Sequence, residues 1–176
     1  MTLPLPPPKP PVLSASDLPE PAAYLRFHPF LRGVFSQWHA TRFTVDGLDY
    51  NCAEQWMMVN KAALFDDHDR AVAIMATDDP AEQKRLGQVV QGFDSARWDL
   101  HKVDIVERGN REKFRQNPGA MRQLSSTGDA MLVEANPRDW VWGAGLAADH
   151  PDISSPDGWR GSNLLGRILT YVRDAA

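Results

Sequence analysis

Glu54 and Lys61 stand seven residues apart, two turns of a helix, so on a helix they share one face. An acid and a cation on one wall of a pocket can stabilise a growing positive charge, activate water or, with the lysine neutral, attack carbon as an amine. Each has a plainer reading. Glu54 follows Asn51 by three residues, the spacing of a capping box that reaches back to the Asn51 amide; Lys61 alone reads as a solvated lysine near a helix end. Residues 136–145, NPRDWVWGAG, gather Asp139, Trp140, Trp142, Gly143 and Gly145. Glycines allow close backbone approach to a ligand, and Trp142 could stack on a planar base for ~1–3 kcal/mol. The alternative is a Trp-anchored loop that plugs the core. Residues 158–166, GWRGSNLLG, lead through Asn163 into a helix start, where free amides suit a phosphate. The run lacks the GK[ST] of a P-loop and the GxGxxG of a dinucleotide site.

The elements that must position these residues are mainly helical. Asp46-Gly47 between Phe43/Val45 and Leu48/Tyr50 predicts a hairpin with a type I′ turn. A helix is expected at about 52–64 with Asn51 as N-cap and Trp56, Val59 and Ala63 on its apolar stripe. A second is expected over 67–76 with Val72, Met75 and Ala76 inward. Asp79-Pro80 opens a third, running to Gln91 before Gly92. Residues 95–115 form the longest periodic stretch, with Trp98, Val103, Ile105, Val106 and Phe114 on the buried face; Gly109 there marks a kink or a close contact. A short helix over 118–124, a strand over 131–135, a polar loop over 149–158 and a closing helix over 163–172 complete the body.

The composition narrows the chemistry. The chain has 176 residues, 43% of them hydrophobic, and a net charge of −4. One domain of this size builds a core without staples. The acidic balance argues against gripping duplex nucleic acid through its phosphates, though a few local cations still suit a small phosphorylated ligand. One cysteine, Cys52, and five scattered histidines give no support for a disulfide or a zinc site, so no metal and no cofactor is expected. No run approaches the ~18 apolar residues of a membrane span and no signal peptide is read; the expected compartment is the cytosol. Eight of the 14 prolines fall within residues 1–21. Residues 1–22 therefore read as a disordered proline-rich leader that buries little, or as an SH3-type ligand through PxxP. Residues 23–176 are the body.

Taken together, Tyr50-x-x-x-Glu54-Gln55, Lys61-Ala62 with Phe65, Lys84-x-x-Gly87, Trp98, Lys113-Phe114 with Gln116-Asn117-Pro118, Leu124-x-x-Thr127-Gly128-Asp129, Val133-Glu134-Ala135, Asp139-x-x-Trp142-Gly143-x-Gly145 and Trp159-x-Gly161-x-Asn163-x-Leu165-Gly166 with Arg173 resemble the NADAR superfamily, the YbiA-like N-glycosidases. The elements fall in family order over about residues 27–173. The family's usual Phe-Ser-Asn-Phe/Tyr opening stands here as Phe35-Ser36-Gln37-Trp38, with glutamine's amide in place of asparagine's. The resemblance implies a compact, mostly α-helical single-domain fold with a short hairpin and minor strands. It also implies hydrolysis of an N-glycosidic bond in a ribosylated, phosphate-bearing nucleobase compound. Two substrate groups go with it: riboflavin-pathway ribosylamino-pyrimidine phosphates, and ADP-ribosylated guanine, including guanine in nucleic acid. The implied catalytic elements fall on Glu54, Lys61, Trp98, Asp139 and Trp142.

Such a reaction builds positive charge on C1 and the ring oxygen. It calls for a carboxylate, a flat surface for the base and cations for phosphate. Glu54 and Asp139 supply acids, Lys61 is the candidate amine, Trp98 and Trp142 can sandwich a base, and Gly143, Gly145 and Asn163 are expected to bind the substrate. Arg32, Lys84, Lys113 and Arg160 are all open as phosphate cations, and Glu134 is a third acid, open to a role in the site or in the strand. The other class is a non-catalytic module that binds ADP-ribose or NAD, which needs the tryptophans and cations but not both acids.

Overall fold

The computed structural model describes residues 4–176; Met1, Thr2 and Leu3 of the leader lie outside the described residues. Along the chain run β1 (Phe27–Phe30), β2 (Phe43–Val45), β3 (Leu48–Tyr50), α1 (Ala53–Leu64), α2 (His68–Met75), α3 (Pro80–Gln88), α4 (Ser95–Gln116), α5 (Pro118–Ser125), β4 (Met131–Glu134) and α6 (Leu164–Asp174). The mostly helical composition with a hairpin and minor strands is the one the sequence predicts. The chain forms two units, one of residues 4–14 and 37–117, the other of residues 15–36 and 118–176.

In the first unit, α2, α3 and α4 all pack on α1. Every α1 residue except Lys61 is buried, so the apolar stripe expected there is in fact a helix buried all round. The hairpin turns through Asp46 at φ 51° and Gly47 at φ 80°, the two left-handed residues that a type I′ turn requires. Phe43 stacks on Tyr50 at 5.7 Å, and Tyr50 meets Trp56 edge-on at 5.1 Å. Trp56 donates its indole N–H to the Ile105 carbonyl at 2.7 Å, and a Cβ on Gly109 would overlap its ring. Gly109 is thus a close contact of α4 with α1. Asp67 and Asp79 cap α2 and α3 through their side chains. On α2 the inward residues are Ala71 and Ile74, while Val72 is 45% exposed; this corrects the expected inward face by one position, because a short helix offers too few turns for periodicity to fix its phase.

In the second unit, β1 pairs parallel with β4, Phe27 opposite Met131. The sequence did not show β1, since parallel pairing is remote in sequence and Pro29 argues against a strand. α6 is clamped on β4 by polar groups. Thr170 Oγ1 accepts from the Leu132 N–H at 3.1 Å, and Arg173 donates to Thr127 Oγ1 at 2.9 Å and to the Ala130 carbonyl. Val133, Ala135, Ala144, Leu146 and Ile153 form an apolar cluster flanked by Phe27 and Trp159. Of the leader, residues 7–12 are exposed. Leu18, by contrast, is 3% exposed, and Arg167 donates to the Ala15 and Pro19 carbonyls at 2.9 Å.

Candidate active site

The first unit brings Glu54 and Lys61 onto one wall. Glu54 occupies the second position of α1, is 3% exposed and donates its backbone N–H to the Gln37 carbonyl at 2.9 Å. It is not the capping-box acid. The helix starts one residue later than expected, with Cys52 as N-cap, and it is Gln55 Oε1 that accepts from the Asn51 N–H at 2.8 Å. Local capping therefore does not explain a buried carboxylate here.

Lys61 is half-buried, and its ammonium lies 4.6 Å from the Phe93 ring centroid and 5.5 Å from that of Trp98. Burial holds its pKa below the ordinary lysine range, with the Glu54 carboxylate pulling the other way. The spacing alone left the sign of that shift open; desolvation wins. Phe93 is the contact that sequence reasoning missed. It follows Gly92, which sits at φ 70°, and a loop aromatic has no periodicity to betray it.

The other cations differ sharply. Lys84, exposed on α3, places its ammonium 6.0 Å from the Trp38 ring. Lys113 on α4 has no exposed surface, and burial drives its pKa down to about 7, opposed by Cys52. A depressed lysine penalises the fold below its folded pKa. From about 7 up to ~10.4 the unfolded chain binds the extra proton, so stability rises with pH. The stability of the protein relative to Lys113→Met is therefore expected to increase between pH 6 and 8.5, below the range in which Cys52 ionises. Urea unfolding at the two pH values checks this, and a difference that is flat or falls with pH contradicts it.

The second unit holds Asp139, Trp142, Gly143, Gly145 and Asn163. Asp139 Oδ1 accepts from the Val141 and Trp142 amides at 3.0 and 2.8 Å. Trp142 is half-buried and Trp140 is 58% exposed. Gly143 approaches protein backbone, where a Cβ would stand 2.9 Å from the Asp139 carbonyl and 3.0 Å from that of Glu134, while a Cβ on Gly145 would meet the Arg160 and Trp140 side chains at 2.9 Å. Asn163, fully buried at φ 49°, spends its amide on β4, accepting from the Glu134 N–H at 2.9 Å and donating to the Leu132 carbonyl at 3.0 Å. The Asn163, Leu164 and Leu165 amides donate to the carbonyls of Gly143, Val141 and Trp142. The expectation of free amides at this helix start is thus corrected: the 141–143 segment takes them.

This arrangement meets its family in the comparisons. The NADAR domain model matches residues 26–175, and the chain belongs to the NADAR family. It is 42% identical over 146 residues to N-glycosidase R617 of Acanthamoeba polyphaga mimivirus, covering 80% of this chain and 86% of that one. It is 31% identical over 142 residues to riboflavin biosynthesis protein VVA0006 of Vibrio vulnificus, covering 81% of this chain but 35% of that longer protein. The NMR structure of the E. coli protein YbiA shares the fold, with a TM-score of 0.70, 24% identity, and coverage of 85% of this chain and 84% of that one. Hydrolysis of N-glycosyl bonds is the activity class that the 42% identical N-glycosidase gives the chain. Among the described residues no helix is long and apolar enough to cross a membrane.

Proposed function

We infer that the chain cleaves the bond between ribose C1 and nitrogen in a phosphate-bearing ribosylamino-pyrimidine of the riboflavin route. One observation carries this reading: the α1 wall, where a buried carboxylate shares a face with a lysine that is partly desolvated between Phe93 and Trp98. Glu54 stabilises the cation that grows at C1. Neutral Lys61 adds to C1 as the C1–N bond breaks and the departing amine takes a proton. The ring C1–O bond then opens to an imine, and water hydrolyses the imine, releasing ribose phosphate and restoring the lysine. The name of the Vibrio relative supports the pyrimidine substrate. Lys84 and Trp98 enter as substrate contacts, and the family resemblance carries Trp142, Gly143 and Gly145 as substrate-binding residues. Lys113 and Asn163, both fully buried, enter as supports. We place the reaction in the cytosol, which suits a chain with a single buried thiol.

Purified protein offered the pyrimidine substrate and ADP-ribosylated guanosine is expected to release ribose phosphate and free base from the first. Release of ADP-ribose alone would move the substrate to the guanine class. Binding of ADP-ribose with no release from either would leave the non-catalytic module.

Asp139 is assigned as a second acid. Asparagine keeps an oxygen for the Val141 and Trp142 amides, so Asp139→Asn is expected to keep its melting temperature and lose turnover by ~10²-fold or more. Asp139→Ala should lose both. An Asp139→Asn enzyme with near-native rate would leave Asp139 as a loop clamp only.

A further inference from the structure

Trp38 is 45% exposed, a large share for a residue type that is mostly buried. The residue before it is held in place. The Gln37 carbonyl accepts the Glu54 N–H at 2.9 Å, and Gln37 Oε1 accepts from Asn110 Nδ2 at 2.9 Å. Gln37 Nε2 is buried beside them with no hydrogen-bond partner among the described residues. The indole is thus held one residue from the cap on Glu54, with the Lys84 ammonium 6.0 Å from its ring. Val72 is equally exposed, but on α2 and with no such setting. An exposed aromatic ring with a cation on a flexible stem over it fits a planar base whose sugar bears phosphate, since stacking is indifferent to base identity and an ammonium is a point charge for phosphate.

We propose that Trp38 and Lys84 form a specificity platform for the hydrolase described above, Trp38 stacking on a nucleobase and Lys84 leaving the indole to hold phosphate. The inference rests on that reading of the first unit.

The test separates base from phosphate. Dissociation constants for ADP-ribose and ribose 5-phosphate are measured for the full chain, Trp38→Ala, Trp38→Phe, Lys84→Gln and Val72→Ala, with kcat and KM on any substrate turned over. Trp38→Ala is expected to weaken ADP-ribose roughly 5- to 150-fold and leave ribose 5-phosphate unchanged. KM should rise with kcat within a few-fold, Trp38→Phe should recover most of the loss, and Lys84→Gln should weaken both ligands. Val72→Ala should change nothing. Unchanged ADP-ribose affinity and KM in Trp38→Ala, or equal loss of both ligands, overturns the platform. A chain that releases no base but shows the binding pattern sinks the hydrolase reading and keeps the platform. Turnover with KM unmoved by Trp38→Ala does the reverse, and neither binding nor turnover overturns both.

Discussion

Glu54→Gln is expected to lose turnover by ~10²–10⁴-fold while the protein stays folded. Glutamine is nearly isosteric with glutamate but carries no charge to stabilise a cation at C1, and removing one such preorganised group typically costs that much. The fold does not depend on the charge through the helix cap. Gln55, not Glu54, bonds the Asn51 amide, and the Glu54 backbone N–H keeps the Gln37 carbonyl in the variant. Stability should move by about 1 kcal/mol or less, the scale of a mild substitution. Steady-state kinetics paired with thermal unfolding checks both halves. Near-native rate in a folded Glu54→Gln protein would remove the carboxylate from the chemistry.

The second large effect is at Lys61. Arginine keeps the positive charge but cannot form an imine, so Lys61→Arg is expected to be inactive and well folded, with the side chain still reaching solvent from its half-buried place. The pH profile carries the same claim. An amine attacks only when neutral, so kcat/KM should rise with pH. Burial between Phe93 and Trp98 lowers the lysine pKa, so the midpoint of that limb should lie below the ordinary lysine value of ~10.4. Replacing Phe93 by a polar residue admits water and should move the limb upward. If Lys61→Arg retains activity and the limb is absent, Glu54 activates water directly and Lys61 is a ligand contact.

The parts of this account that were legible in the sequence are the local ones. The seven-residue spacing of Glu54 and Lys61, Asp46-Gly47 in the turn and Asp79-Pro80 at the start of α3 each act within a few residues, and the structure shows them as read. What was not legible depends on partners remote in sequence. β1 exists because Phe27–Phe30 pairs with Met131–Glu134, a register no local pattern encodes. The amides at the start of α6 looked free because their acceptors lie some twenty residues back, at Val141, Trp142 and Gly143. Asn51 drew Gln55 rather than Glu54 because the helix begins after Cys52, a one-residue change that reassigns the buried acid from capping to the candidate site. Phe93 carried no signal, and only folding shows that it faces the lysine.

The most direct test is chemical trapping during turnover. Borohydride reduces an imine to a stable amine, so adding it to enzyme and phosphorylated ribosyl substrate, then digesting and weighing the peptides, reports whether the sugar was ever bonded to the protein. A reduced ribose phosphate adduct is expected on Lys61, absent without substrate and absent in Lys61→Arg. Steady release of free base with no adduct on any lysine would contradict it.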